Sequence, residues 1–172
     1  MTSVVPAGFD AFRALRVLVG HGVRFLIIGG VAARAWGSPS MTNDLDICYD
    51  RGAANLDALA AALRELEATL RGAPAGLPFL LDAKSLRMGD SFTFETVAGS
   101  LDCLGTPSGT SGYPDLIRNA TEVDLADDVR VAIASIDDLL RMKRAAGRPK
   151  DLIEVEILSA LKEEREKMPG VE

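Results

Sequence analysis

The sequence has very few of the side chains that hold zinc or form disulfides. Its 172 residues include one histidine, His21, and two cysteines, Cys48 and Cys103. These are too few for a structural zinc site, which takes four Cys or His ligands. Both cysteines fall in predicted strands, Cys48 on the face of Asp46 and Cys103 on the opposite face, so a disulfide between them is disfavoured. His21 stands at a predicted helix end, where a surface or capping role is expected.

Long apolar runs and an excess of positive charge are also missing. No stretch is apolar for the eighteen or more residues that a membrane span needs, and no basic segment precedes an apolar core near residue 1. We therefore expect a cytoplasmic protein with no membrane partner. The 19 Lys and Arg against 25 Asp and Glu give a net charge of -6. This charge argues against broad, sequence-independent binding of nucleic acid.

The remaining composition fits one globular domain. Hydrophobic residues make up 48% of the chain and charged residues 26%, which is ordinary for such a protein. A chain of this length builds one buried core and is short for two. We predict a single domain over 1–172, with a core at about 24–134 and C-terminal helices at about 135–167.

Hydrophobic periodicity predicts a mixed α/β (α+β) order of elements. Loops are expected at 72–78 and at 106–112, where Gly, Pro, Ser and Thr concentrate. The predicted helices are 7–20, 31–36, 53–70, 113–119, 135–146 and a last one from 150 or 151. The predicted strands are 25–28, 45–49, 91–97, 101–104, 123–125 and 129–133, the last four forming two hairpins.

Two carboxylates lie at the start of the second predicted strand. Asp44 and Asp46 are spaced i and i+2, so they point to the same face of a pleated strand. Like charges a few ångströms apart repel unless a proton or a cation lies between them. A divalent cation with oxygen ligands is the obvious candidate. Upstream, the apolar run 25–28 stops at Gly29-Gly30, and phosphate is the usual ligand where glycines precede a helix.

In this order and spacing, the Gly29-Gly30 pair and the Asp44-x-Asp46 motif resemble the signature of the minimal nucleotidyltransferase domain of the DNA polymerase beta superfamily. In that family a strand ends in Gly-Gly or Gly-Ser, a helix follows, and the next strand opens with Asp-x-Asp. The resemblance implies a nucleotidyltransferase-fold mixed β-sheet flanked by helices, with a C-terminal helical extension. It also demands a third acidic residue on a later strand.

Asp102 meets that demand. It lies in the middle of the apolar strand 101–104, where a carboxylate is costly to bury unless it is paired or bound to a metal. By the resemblance, Asp44 and Asp46 bind two Mg²⁺ ions that bridge a nucleoside triphosphate, and Asp102 binds the metal nearest the attacking group. The candidates for contact with the phosphates are Gly29, Gly30, Thr42 and Arg34, the last of which is equally compatible with an exposed surface residue.

A basic cluster stands out in the acidic chain. Five positive charges fall within ten residues, at Arg141, Lys143, Arg144, Arg148 and Lys150. A helix C-terminus that favours cations, followed by a solvated linker, accounts for some of them.

The stretch 143–151 also resembles the tail of bacterial nucleotidyltransferase-like proteins related to AbiEii-type and MenT-type toxins. By that resemblance Lys143 contacts the triphosphate, Arg148 or Lys150 binds phosphate or the acceptor, and Asp151 orients a basic group. Glu154 stands where the family usually has a second Asp.

Three functions follow as hypotheses. The first is a nucleotidyltransferase that moves a nucleoside monophosphate from an NTP to an RNA such as a tRNA end, or to a protein, as part of a toxin–antitoxin pair with a cognate antitoxin or toxin partner. The second is a non-catalytic binding module that retains the fold; the complete acidic trio favours the enzyme. The third, a small-molecule adenylyltransferase of antibiotic-resistance type, is expected to need an additional substrate domain, for which little length remains.

Overall fold

A mixed β-sheet of seven strands forms the centre of the computed structural model, which describes residues 8–73, 79–126 and 128–168. The strand order is β3-β4-β5-β2-β1-β7-β6. The pairs β2/β5 and β1/β7 are parallel, and the other neighbours are antiparallel. The strands are β1 Phe25–Ile28, β2 Asp44–Tyr49, β3 Thr69–Leu70, β4 Ser91–Thr96, β5 Gly99–Leu104, β6 Thr121–Ala126 and β7 Val129–Ile133.

Helices flank this sheet and extend beyond it at the C-terminal end, so the predicted fold class is confirmed. None of the helices in the described ranges has the length and apolarity that a membrane crossing requires. The helices are α1 Ala11–Gly20, α2 Gly29–Ala35, α3 Ala53–Glu65, α4 Ala83–Met88, α5 Tyr113–Leu116 with a 3₁₀ turn at Ile117–Asn119, α6 Ile136–Ala146 and α7 Pro149–Lys167.

The prediction was wrong at the end of α3, which was expected to run to residue 70. The helix ends at Glu65, and Glu67 has a left-handed φ of 53°, which reverses the chain. Thr69–Leu70 then pairs with β4 as an edge strand. The short helix α4, which begins behind the capping side chain of Asp82, was not predicted. Residues 74–78 of the predicted loop, Asp127 of the second hairpin and residue 7 of the first helix lie outside the described residues.

Alternation along β5 separates the core from the face that carries the site. Leu101 and Cys103 are buried, while Ser100, Asp102 and Leu104 point to the opposite face and are half-buried. On β2 the alternation places Cys48 on the face of Asp46, so the two cysteines lie on opposite faces, as predicted. At β2 and β5, one face therefore packs into the core, and the other carries the carboxylates of Asp46 and Asp102.

The connection between β2 and α3 is held by a buried amide. Asn55 is 6% exposed, and its Oδ1 accepts the backbone N–H of Arg24 at 2.6 Å. Its Nδ2 donates to the carbonyl of Arg24 at 3.0 Å and to that of Asp50 at 2.7 Å. One side chain thus satisfies three backbone groups and ties the residue before β1 to the segment after β2.

Asn55→Ala should lower the free energy of unfolding by about 2–3 kcal/mol, because it leaves these backbone groups without their partners. Urea denaturation followed by circular dichroism measures the loss. Asn119→Ala is the matched control, since its exposed amide makes one long contact of 3.5 Å to Asp138, and it should change stability by less than about 0.5 kcal/mol. Equal effects of the two substitutions would contradict this account of Asn55.

Candidate active site

Three carboxylates from two neighbouring strands meet on one face of the sheet. Asp46 on β2 and Asp102 on β5 are register partners in the parallel pair, and Asp44 lies two residues before Asp46. Each of the three offers a carboxylate oxygen, and these oxygens all lie within 4.8 Å of one another. All three residues are half-buried. We call Asp44, Asp46 and Asp102 the acidic cluster.

The cluster is closed on one side by the start of α2. Because β1 and β2 are antiparallel, Ile28 pairs with Asp46 and the helix begins at Gly29, directly beside that carboxylate. Gly29 has a φ of +66°, and a Cβ at this position would overlap the Asp46 carboxylate. The two predicted phosphate-binding glycines are therefore the first residues of the helix, not a turn before it.

Gly30 and Thr42 make a second close contact at the same place. A Cβ on Gly30 would stand 2.9 Å from the Cβ of Thr42. The Thr42 hydroxyl donates to the backbone carbonyl of Asp44 at 3.0 Å. Both glycines thus have a steric reason for being glycine, since they let the helix approach the acidic strand and its preceding loop.

Asp46 holds its proton more tightly than an isolated carboxylate does. Burial, the hydrogen bond to Asp102 and the negative charges of Asp102 and Asp44 raise the pKa of Asp46 to about 8, against the opposing effect of Lys143. Close like charges cannot all ionise without a counterion. Three half-buried carboxylates with one oxygen each to offer suit Mg²⁺, which prefers oxygen ligands. The residues present therefore fit the divalent cation expected from the sequence.

Positive charge faces the cluster from the junction of α6 and α7. Lys143 and Arg148 line the same cleft as Asp46 and Asp102, a cavity of about 280 Å³. Both cations are held by Asp151, which is fully buried. Its oxygens lie 3.4 Å from Lys143 Nζ and 2.7 Å from Arg148 Nε.

The side chain of Arg148 donates a hydrogen bond that lowers the pKa of the Asp151 carboxyl. The backbone N–H of Arg148 and the ammonium of Lys143 lower this pKa further. Asp151 also accepts the backbone N–H of Arg148 at 3.2 Å, at the start of α7. Asp151 therefore contacts both basic side chains, and the role predicted for it, to orient a basic group for catalysis, stays a prediction.

The other basic and polar candidates do not reach the cluster. Arg34 is exposed, and its Nη1 donates to the carbonyl of Ser40 at 2.9 Å. Arg141 turns to Asp115 and Asp138 instead. Lys150 is exposed and does not line the cleft.

Glu154 has a structural contact of its own. Its two oxygens accept the hydroxyls of Ser38 at 2.7 Å and Ser40 at 2.8 Å. Glu154 therefore stabilises the loop before β2 and does not join the acidic cluster.

One residue of the site has no signal in the sequence. Arg71 donates from Nη2 to Asp102 Oδ1 at 3.1 Å and from Nε to Glu95 Oε1 at 2.7 Å. Arg71 follows β3, and the sequence predicted a helix over the residues of this strand. No sequence pattern therefore predicted that Arg71 lies near Asp102. Thr93 is the register partner of Asp102 on β4. Its position beside Asp102 could have been predicted, because the hairpin 91–97/101–104 was predicted.

Comparisons with known proteins bear on the fold. No protein-family model matches the chain, and no curated protein matches it. Among solved structures, the chain is similar to the lincosamide antibiotic adenylyltransferase LnuA in its lincomycin-bound form, with a TM-score of 0.59 and 13% identity over 90% of this chain and 99% of that one. It is also similar to ANT(2")-Ia in complex with adenylyl-2"-tobramycin, with a TM-score of 0.52 and 15% identity over 91% and 90% of the two chains.

These likenesses show that the chain has the nucleotidyltransferase fold expected from the sequence. At 13% and 15% identity they show the fold alone. The narrower resemblance to AbiEii-type and MenT-type toxins stays a prediction.

Gly29→Ala should destabilise the protein more than Gly22→Ala and should weaken its response to Mg²⁺. Both glycines have positive φ, +66° and +71°, but the added Cβ meets Asp46 at Gly29 and nothing within 4 Å at Gly22. The shared backbone strain costs about 1–2 kcal/mol, so the difference isolates the contact with the carboxylate. Thermal unfolding with and without Mg²⁺ measures both quantities, and equal behaviour of the two variants would show that the contact is unimportant.

Without divalent cations, stability should fall as pH rises from about 5 to about 8. Over this range the native chain keeps a proton on Asp46, with its pKa of about 8, whereas an unfolded Asp ionises near about 3.9. The native state then binds more protons than the unfolded state, so the free energy of unfolding decreases with pH. Asp46→Asn should flatten this decline in urea denaturation with EDTA, while the exposed control Asp57→Asn should retain it. Parallel curves for all three proteins would contradict the raised pKa.

Proposed function

We propose that the protein is a Mg²⁺-dependent nucleotidyltransferase, which transfers a nucleoside monophosphate from an NTP to the hydroxyl of an acceptor. One observation carries the proposal: Asp46 and Asp102 of the acidic cluster line a single cleft with Lys143 and Arg148, in a chain with the nucleotidyltransferase fold. Oxygen ligands for cations and side-chain cations for phosphates are the two requirements of this chemistry.

Each part of the cleft has a role in this proposal. Asp44, Asp46 and Asp102 would hold two Mg²⁺ ions, which when bound lower the pKa of the acceptor hydroxyl and balance the charge of the departing pyrophosphate. Asp102 also accepts the proton of the acceptor. Lys143 neutralises charge that develops during transfer, and the buried Asp151 keeps its ammonium group directed at the cleft.

The donor nucleotide is placed by the α2 end of the cleft. Gly29 lines the cleft. Gly29 and Gly30 let the first turn of α2 lie against the acidic strand and its preceding loop, and the backbone N–H groups of a helix start favour phosphate. Arg148 lines the same cleft and provides a second cation for the phosphates. Thr42 hydrogen-bonds Asp44 in the structure, and its proposed contact with a phosphate requires that its hydroxyl turn.

Two classes of acceptor follow from different observations. The resemblance of 143–151 to toxin tails supports an RNA such as a tRNA end, or a protein, within a toxin–antitoxin pair. The expectation that a small-molecule adenylyltransferase needs an additional domain was wrong, because LnuA and ANT(2")-Ia are covered over 99% and 90% of their own lengths.

A small-molecule acceptor is therefore the second candidate. The observation that favours it is the lining of the cleft, which pairs an apolar wall of Leu104, Pro107, Leu139 and Met142 with the hydroxyls of Ser91, Thr93 and Ser108. Such a lining of apolar surface with a few polar groups is typical of small-molecule sites.

The transfer reaction is tested with each α-labelled NTP, Mg²⁺ and three acceptor pools: total RNA, cell protein and a small-molecule extract. We expect label in one pool, and a loss of at least about 100-fold for Asp44→Asn with Asp46→Asn, since metal-based charge stabilisation is worth several kcal/mol. Asp57→Asn with Asp124→Asn is the matched control, as both side chains are exposed away from the cleft.

The outcomes separate the alternatives. Nucleotide binding without label in any pool would favour the non-catalytic module. Label that survives the double substitution in the acidic cluster would show that the transfer does not use this site.

A further inference from the structure

Arg71 reaches across the sheet to the acidic cluster from the side opposite the phosphate-binding candidates. Its backbone N–H donates to the carbonyl of Thr93 at 2.9 Å, which extends the pairing of β3 with β4. Its side chain then crosses β4 and ends at Asp102 on β5. In the strand order β3-β4-β5-β2-β1, Arg71 lies at one end of the site and Gly29, which follows β1, at the other.

The guanidinium of Arg71 is itself fixed in place. Nε donates to Glu95 Oε1 at 2.7 Å, and the same oxygen accepts the hydroxyl of Ser100 at 2.8 Å. Nη2 donates to Asp102 Oδ1 at 3.1 Å. The rigid fork of an arginine suits such a bridge between two carboxylates, whereas a lysine offers a single point of charge.

This bridge restricts the Asp102 carboxylate. Its side chain is 20% exposed and that of Arg71 36%, so solvent competes only in part for the contact. With Oδ1 held by Arg71, rotation about the last bond of Asp102 is opposed, and the carboxylate keeps one orientation relative to Asp46. Groups that hydrogen-bond a ligating carboxylate fix its direction and tune the cation that it binds.

We propose that Arg71 is a positioning residue, which together with Glu95 holds Asp102 in the orientation that binds a divalent cation. The binding part of this inference stands on the geometry of the cluster alone. Its consequence for turnover rests on the proposed function. Arg71 acts through Asp102, and its hydrogen bonds go to Glu95, Phe94 and Asp102, not to Gly29, Gly30 or Lys143.

Binding of Mn²⁺ alone tests the inference without any turnover. Free Mn²⁺ is titrated by electron paramagnetic resonance against the whole chain, with folding of each variant checked by circular dichroism. Arg71→Gln should weaken Mn²⁺ binding by about 10–100-fold. Arg130→Gln is the matched control, because Arg130 Nε makes a comparable pair with Glu122 at 2.8 Å at the other edge of the sheet, and it should stay within about twofold of wild type.

A second variant keeps the test decisive if Arg71→Gln folds poorly. Glu95→Ala leaves the guanidinium and removes its anchor, so it should also weaken Mn²⁺ binding, by less than Arg71→Gln. The double variant should bind no more weakly than Arg71→Gln, because residues that act through one contact are not additive. Unchanged or tighter binding by Arg71→Gln, or strictly additive losses, would overturn the inference.

Kinetics separate this inference from the proposed function. If wild type transfers label, Arg71→Gln should lower kcat and leave KM for the NTP within about threefold, since the proposed donor contacts at Gly29, Lys143 and Arg148 do not include Arg71. Equal kcat and equal Mn²⁺ binding would overturn the inference and leave the proposed function standing. If wild type binds Mn²⁺ but transfers nothing, the proposed function fails, and the Mn²⁺ titration alone decides the role of Arg71.

Discussion

Repulsion among three carboxylates is the constraint on which the rest of the site depends. Asp46 and Asp102 are fixed at the same level of two hydrogen-bonded strands, so the backbone cannot move them apart. Three features offset their charge: Arg71, which follows β3, Lys143 in α6, and a proton on Asp46. Carboxylates that repel one another in this way favour the binding of a small divalent cation.

The basic side of the cleft is held together by one buried carboxylate. Lys143 lies in α6, and Arg148 directly precedes α7. The buried Asp151 holds both, which lets two like charges stay close together. Strand pairing thus fixes the acidic side of the cleft, and a single buried carboxylate contacts both cations of the basic side.

The sequence predicted the parts of this site that depend on local periodicity and failed where distant segments decide. Asp44 and Asp46 could be placed on one face because strands alternate, and Asp102 because a charge in an apolar strand needs a partner. Arg71 could not be placed, since leucines at 63, 66 and 70 continued a helical pattern that the left-handed Glu67 interrupts. The steric role of Gly29 was equally invisible, because it depends on Asp46, seventeen positions away, lying against it.

The C-terminal helix is fastened to the loop between α2 and β2 at two points. Glu154 accepts the hydroxyls of Ser38 and Ser40, and further along the helix the guanidinium of Arg165 stacks 4.5 Å from the ring of Trp36. The same helix carries Asp151, and the same loop leads into Asp44. A chimaera in which this helix came from another protein would therefore lose its contacts with the loop before β2. We expect substitutions in the helix and in the loop to be tolerated only when they occur together.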